Sequence, residues 1–166
     1  MVIVSSPIGV DLAAVIAGTG TSSDESGAFH LGQRAALDDN GEAMYVHASA
    51  AIAANDVVGI DENFEAAPLT KAMADDGWFI GVAADVALSD NDFGWVRMKG
   101  SNFSGNVLAS CAADAALYTS ATAGSLDDSS SSQTAIKGVV CVTAGSGGGK
   151  TAVEFIVPNG MRSTTF

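Results

Sequence analysis

The stretch best equipped for chemistry is Ala144-Gly145-Ser146-Gly147-Gly148-Gly149-Lys150-Thr151. It follows the apolar run KGVVCVT and fits the relaxed phosphate-loop pattern with Ala in first place. In such a loop backbone N–H groups wrap phosphate oxygens and the lysine adds charge. That chemistry needs a helix directly after Lys-Thr, with its N-terminus facing the phosphates. AVEFIVP follows instead, β-branched, aromatic and closed by Pro158, which predicts a strand. The VVGIDE run, Val57 to Glu62, resembles a magnesium-site strand but precedes the glycine loop. The glycines are therefore expected at a hairpin tip, with no cofactor.

Other chemically suggestive residues lack the partners that their chemistry requires. Asp90, Asp92 and Gly94 echo the start of a calcium loop, but its twelfth position is Ser101 and not a bidentate Glu, and strand-like runs flank it. Turn chemistry is the better reading. His30 and His47 stand alone, with no Cys or His at ligand spacing. Ser, His and Asp are present without a Gly-x-Ser-x-Gly elbow. Cys111 and Cys141 sit in apolar settings, VLASCAAD and KGVVCVT, which favours buried thiols over a disulfide. No metal site and no catalytic residues are assigned, and the chain is not expected to be an enzyme. Trp78, Phe79, Trp95 and Phe103 could form a carbohydrate-stacking platform, but core is the better reading in a chain so poor in large aromatics.

Charge narrows the partners. Nineteen Asp and Glu against seven Lys and Arg give a net charge of −12, which repels phosphates and argues against nucleic-acid binding. The acids come in short pairs such as Asp61-Glu62 and Asp127-Asp128, as on a solvated rim. The N-terminal run MVIVSSPIGVDLAAVIAG lacks the basic start of a secretory signal, and Pro7, Gly9 and Asp11 interrupt it too early for a membrane span. Residues 1–17 are expected to form an extended arm that needs an apolar surface to lie against. Residues 18–27 (GTGTSSDESG) are expected to be a flexible linker.

The elements that must position these residues are strands. Gly77 to Gly100 reads as two strands joined by the turn Ser89-Asp90-Asn91-Asp92, with Val96 and Met98 on one face and Arg97 and Lys99 on a wet face. Asn40-Gly41 between apolar runs predicts an earlier hairpin. Val57 to Ile60 is a further strand, and Glu65 to Asp76, containing Pro68, is expected to be a loop or short helical turn. The second half can be laid on the first with a period near 58 residues: Asp56–Ile60 on Asp114–Tyr118, Ile80–Ala83 on Lys137–Val140, and Trp95–Met98 on Val153–Ile156. The expected fold is all-β, a small barrel or sandwich with an internal two-fold repeat of strand-excursion-strand-hairpin units and an extended N-terminal arm. Its parts are the arm and linker (1–27), a β domain (28–158) and a C-terminal tail (159–166). Trp78 and Trp95 are expected to anchor the barrel core.

Three segments, IGVAADVALSDNDFGWVRMKG, ALYTSATAGSLDD and IKGVVCVT followed by AVEFIV, resemble the capsid cement, or head decoration, proteins of tailed bacteriophages. The resemblance covers about Gly32 to Pro158. It implies a β-rich module without enzymatic residues, trimeric in many members. Such a module binds the outer face of a phage head and strengthens junctions between major capsid subunits. On that reading the chain is made in the host cytoplasm and ends on the virion exterior. Its partners are the major capsid protein and itself, as a homotrimer, with no nucleic acid and no membrane. The apolar residues of the two ends, Val2, Ile3, Val4, Ile8, Val10, Leu12, Met161 and Phe166, together with Arg162, are then the expected partner contacts. The alternative is a carbohydrate-binding β-sandwich of a virion or cell-surface fibre.

Overall fold

The computed structural model describes residues 10–18, 29–37, 39–146 and 149–164. The chain runs through β1 (Arg34–Ala36), β2 (Glu42–Ala48), β3 (Val57–Ile60), β4 (Glu65–Pro68), the short helix α1 (Lys71–Asp75), β5 (Phe79–Ala83) and the long β6 (Phe93–Leu108). β7 (Leu117–Thr119), β8 (Leu126–Asp127), β9 (Ala135–Lys137), β10 (Val140–Cys141), β11 (Lys150–Val157) and β12 (Arg162–Ser163) complete it. The all-β expectation holds.

Five strands close into a barrel in the order β2-β4-β3-β5-β6 and back to β2. Only the β2–β4 pair is parallel. Alternation along β2 shows how the sequence builds it. Met44, Val46 and Ala48 point inward with Val58, Ile60, Ala66, Ala83, Val96 and Met98, while Ala43 and Tyr45 point outward with Phe93 and Trp95. The predicted hairpins are both present: Asn40 takes the left-handed φ of 61° between β1 and β2, and Ser89 to Asp92 turns between β5 and β6.

The second half hangs on the far end of β6. β8 runs parallel to β6, β7 is antiparallel to both β8 and β9, β10 is antiparallel to β11, and β11 is antiparallel to β6. The barrel follows the same order of pairings: β4 parallel to β2, β3 antiparallel to β4 and β5, β5 antiparallel to β6, and β6 antiparallel to β2. A second core, from Val57, Ile80 and Val82 on the outside of the barrel to Leu117, Leu126, Ile136, Val153 and Phe155, joins the halves. β9 and β10 are separated at Gly138 (φ 85°), where a Cβ would stand 2.4 Å from the Gly160 carbonyl oxygen, so only glycine fits.

Three expectations need correction. The Glu65 to Asp76 segment holds strand β4 as well as α1: Pro68 closes the strand, where a missing N–H costs least, and Thr70 caps the helix by accepting from the Met73 N–H. Trp95 is buried, but on the outside of the barrel against Tyr45 and Phe29, and Trp78 is only half-buried, so neither anchors the barrel interior. The face expected to be wet is covered along Tyr45 and Trp95 by Val10, Leu12, Ile16, Phe29 and Leu31. Ile16 exchanges both backbone hydrogen bonds with Phe93, at 2.9 and 2.8 Å. Of the segments expected to form the arm, linker and tail, residues 1–9, 19–27 and 165–166 lie outside the described residues.

Under this cover the Tyr45 hydroxyl is buried with no hydrogen-bond partner among the described residues, and burial raises its pKa. An orphaned buried hydroxyl carries its desolvation cost uncompensated. Tyr45→Phe should therefore leave the fold intact and raise its stability by about 1 kcal/mol, read as a higher urea midpoint; a clear loss of stability would show that the hydroxyl is satisfied.

Candidate functional site

Asp56, only 2% exposed, is the one charged residue buried among the described residues, and a polar node is built around it. It lies just before β3, after Asn55 in a left-handed turn (φ 63°), and its Oδ2 accepts from the Ala53 N–H at 3.2 Å. Asn106, on β6, donates through Nδ2 to Asp56 Oδ1 at 2.8 Å and to the Ala54 carbonyl at 3.0 Å. Lys150, the first residue of β11, donates through Nζ to Asp56 Oδ1 and to the Ala123 carbonyl at 3.2 Å. Gly124 covers the carboxylate so closely that a Cβ there would lie 2.5 Å from Asp56 Cγ. Asp56 thus ties together the barrel, the shared strand and the second half. Its acceptor positions are taken by protein donors, as a buried carboxylate requires.

This geometry decides between the readings of the glycine-rich loop. The loop joins two antiparallel strands, β10 and β11, and a strand follows Lys150; Gly147 and Gly148 themselves lie outside the described residues. The lysine is held by Asp56 and Ala123, so a phosphate would have to displace a buried carboxylate. The calcium-like segment is a turn: Asp92 Oδ2 accepts from the Ser89 N–H at 2.8 Å and Asn91 is left-handed. His47 packs on Phe93 with ring centroids 4.8 Å apart, and its Nδ1 lies 4.0 Å from Glu65. Among the described residues no three His, Cys, Asp or Glu come together as a metal site would require.

Cys111 and Cys141 are free and fully buried. Burial pushes the Cys111 thiol up to about 12, helped by Cys141, Asp128 and Asp127 nearby, and burial likewise raises Cys141. Both are poor nucleophiles at neutral pH. Asp75 is shifted the other way, lowered by hydrogen bonds from Lys71 and Thr134.

Among the described residues, the expected partner contacts do not gather in one place. Val10 and Leu12 are half-buried on the chain's own Tyr45–Trp95 surface. Val2, Ile3, Val4, Ile8 and Phe166 lie outside the described residues. Met161 must be reassigned: it bridges Ile80 and is buried in the second core at 7% exposure, which withdraws it from a neighbour's reach. Arg162 is exposed. Phe79, expected in the core, is instead 50% exposed, and sequence reasoning did not single out Val140, 43% exposed, or Lys137 as surface contacts. Each stands in a run whose composition predicts a strand, but which strand residues face outward at a sheet end depends on the neighbours. A cleft of about 390 Å³ is lined in part by Asp11, Asp85, Asn102, Arg97 and Phe103, and the Arg97 guanidinium lies 4.9 Å above the Phe103 ring.

No protein-family model, no curated protein and no solved structure matches this chain. No helix among the described residues is long and apolar enough to cross a membrane.

Two outcomes follow from the buried groups. Lys150→Ala leaves Asp56 buried without its counter-ion, although still bonded to Asn106 and Ala53, and should lower stability by about 1–3 kcal/mol in urea unfolding; an unchanged midpoint would mean the ion pair contributes nothing. Above the ordinary thiol range, about pH 8.5, the unfolded chain releases protons that folded Cys111 and Cys141 retain, so stability falls as pH rises toward their folded values. Cys111→Ala should flatten that alkaline decline, measured as urea midpoints at neutral and alkaline pH, and an equally steep decline would assign it to other groups.

Proposed function

We propose that the chain is a structural virion protein, a β-barrel module that binds the outer surface of a tailed-phage head and stabilises contacts between major capsid subunits. On this reading it acts as an assembly of copies, a homotrimer, with no catalysis and no cofactor. It is made in the host cytoplasm and works on the capsid exterior.

The observation that carries the reading is the position of the segment in which the family-like pattern is strongest. Ile80 to Gly100 is the β5–β6 hairpin, and β6 is the strand on which both halves are built. A pattern that coincides with the framework of the fold is what a shared architecture would preserve. The matching order of pairings in the two halves supports the duplicated-unit reading of the same sequence. The carbohydrate reading loses its strongest element, since Trp95 is buried at 3% exposure and Arg97 covers Phe103.

The test is direct. The purified protein is mixed with undecorated heads and the heads are sedimented; at micromolar concentration the protein should pellet with them and saturate. Protein that remains in the supernatant overturns the reading.

A further inference from the structure

The seven basic residues are unequally used. Arg34 and Lys99 reach Glu42, Lys71 pairs with Asp75, Arg97 pairs with Asp39 at 2.7 Å and Lys150 pairs with Asp56. Lys137 and Arg162 remain without an acidic partner among the described residues. They are not scattered: Arg162 on β12 stands directly opposite Lys137 on β9, and both are exposed. Like charges placed opposite each other across two strands are destabilising. The chain has nineteen acids, yet neither cation of the pair is met by one of them among the described residues.

The same place collects exposed apolar side chains. The Ile80–Met161 bridge is antiparallel, so the next residue on each strand sets Phe79 beside Arg162. Phe79, Arg162 and Lys137 thus form a row across β5, β12 and β9, with Val140 three residues beyond Lys137. Phe79 and Val140 are two of the three exposed large hydrophobics among the described residues. An exposed aromatic beside an arginine matches the residues enriched at interfaces, and Lys137 adds charge at its edge.

The charge of the row selects its occupant. Two such rows facing each other would bring four cations together, which excludes a two-fold contact through this patch. The complementary surface lies on the chain itself, at the other end of β5. There the turn after Ala83 presents Asp85 and Asp90, both exposed and without an ion-pair partner among the described residues. Asp11 lines the same cleft as Asp85. Row and turn stand at opposite ends of a strand about 16 Å long, so one molecule's turn can meet the next molecule's row while its own row stays open. That is a heterologous contact, which generates a closed ring or an open chain according to the rotation between copies.

We propose that Phe79, Lys137, Val140 and Arg162 form the docking surface for a second copy of this chain, received through its Asp85–Asp90 turn. The inference takes from the preceding section only that the protein works as an assembly. Its test uses the free protein without heads, so it can fail while co-sedimentation succeeds, and the reverse.

The experiment is sedimentation of the full chain at low ionic strength, over a range of concentrations. The unmodified protein should exceed the mass of one chain. Lys137→Glu with Arg162→Glu should weaken self-association by about tenfold or more, and so should Asp85→Lys with Asp90→Lys, which alters the opposite surface and serves if the first pair perturbs folding. Combining all four reversals restores opposite charges and should restore the assembly. An unmodified protein of single-chain mass at every concentration overturns the proposal. So does either charge reversal leaving the mass unchanged, or a four-fold variant that stays monomeric while retaining the unmodified protein's circular dichroism spectrum.

Discussion

Everything in this fold depends on one strand belonging to two sheets. The first part of β6 pairs with β2 and β5 and closes the barrel; its last part pairs with β11 and β8 and founds the second half. Sixteen residues of continuous strand cannot serve two differently oriented sheets without bending. The bend is built where the pairing changes. Gly100 takes φ 148° and Asn102 takes φ 58°, while the partner strand is irregular between Phe155 and Ile156. A side chain at position 100 would also meet Asp39, 2.8 Å from its Oδ2. The glycine therefore serves both the bend and the approach of the carboxylate that holds Arg97.

A bent strand alone does not fix how the halves sit, and the second core and the Asp56 node supply what is missing. Val57, Ile80 and Val82 are outward-facing residues of the barrel, yet they are buried because the second half lies on them. Burial of that apolar surface gives the larger, undirected share of the free energy. The node gives direction: a carboxylate bonded at once to Ala53, Asn106 and Lys150 permits one relative placement of the three segments. Buried polar groups of this kind add little net stability and much specificity when every member is satisfied. The open end of the molecule, where Arg162 faces Lys137, follows the opposite rule and keeps two charges unsatisfied at the surface.

Much of this architecture was legible because it depends on local rules. Apolar, β-branched and aromatic runs marked β2, β3 and β5, alternation of apolar with basic residues marked the start of β6, and Asn40-Gly41 and the Ser89–Asp92 cluster marked the turns. β4 escaped because Glu-Ala-Ala-Pro is poor in strand formers; it is held by the strands on either side of it and by the parallel pairing His47–Glu65 and Ala48–Ala66. The outer placement of Trp95 escaped for a related reason. Alternation tells which residues share a face, and the basic partners Arg97 and Lys99 suggested that this face was wet. It is dry only because Phe29, Leu31 and residues 10–16 return to cover it, a long-range event that no local pattern encodes.

The glycine-rich loop shows how far composition can be separated from role. A lysine after a run of glycines is a phosphate-binding device only if a helix begins there, because the helix supplies aligned N–H groups and a favourable dipole. When a strand begins there instead, alternate side chains leave on opposite faces, and the lysine is directed by register. Here Lys150 pairs with Leu108 on β6, two residues from Asn106 on the same face. That places its ammonium group above Asn106 and within reach of Asp56. The register of β11 against β6 thus turns a residue whose neighbours suggest ligand binding into the counter-ion of a buried carboxylate.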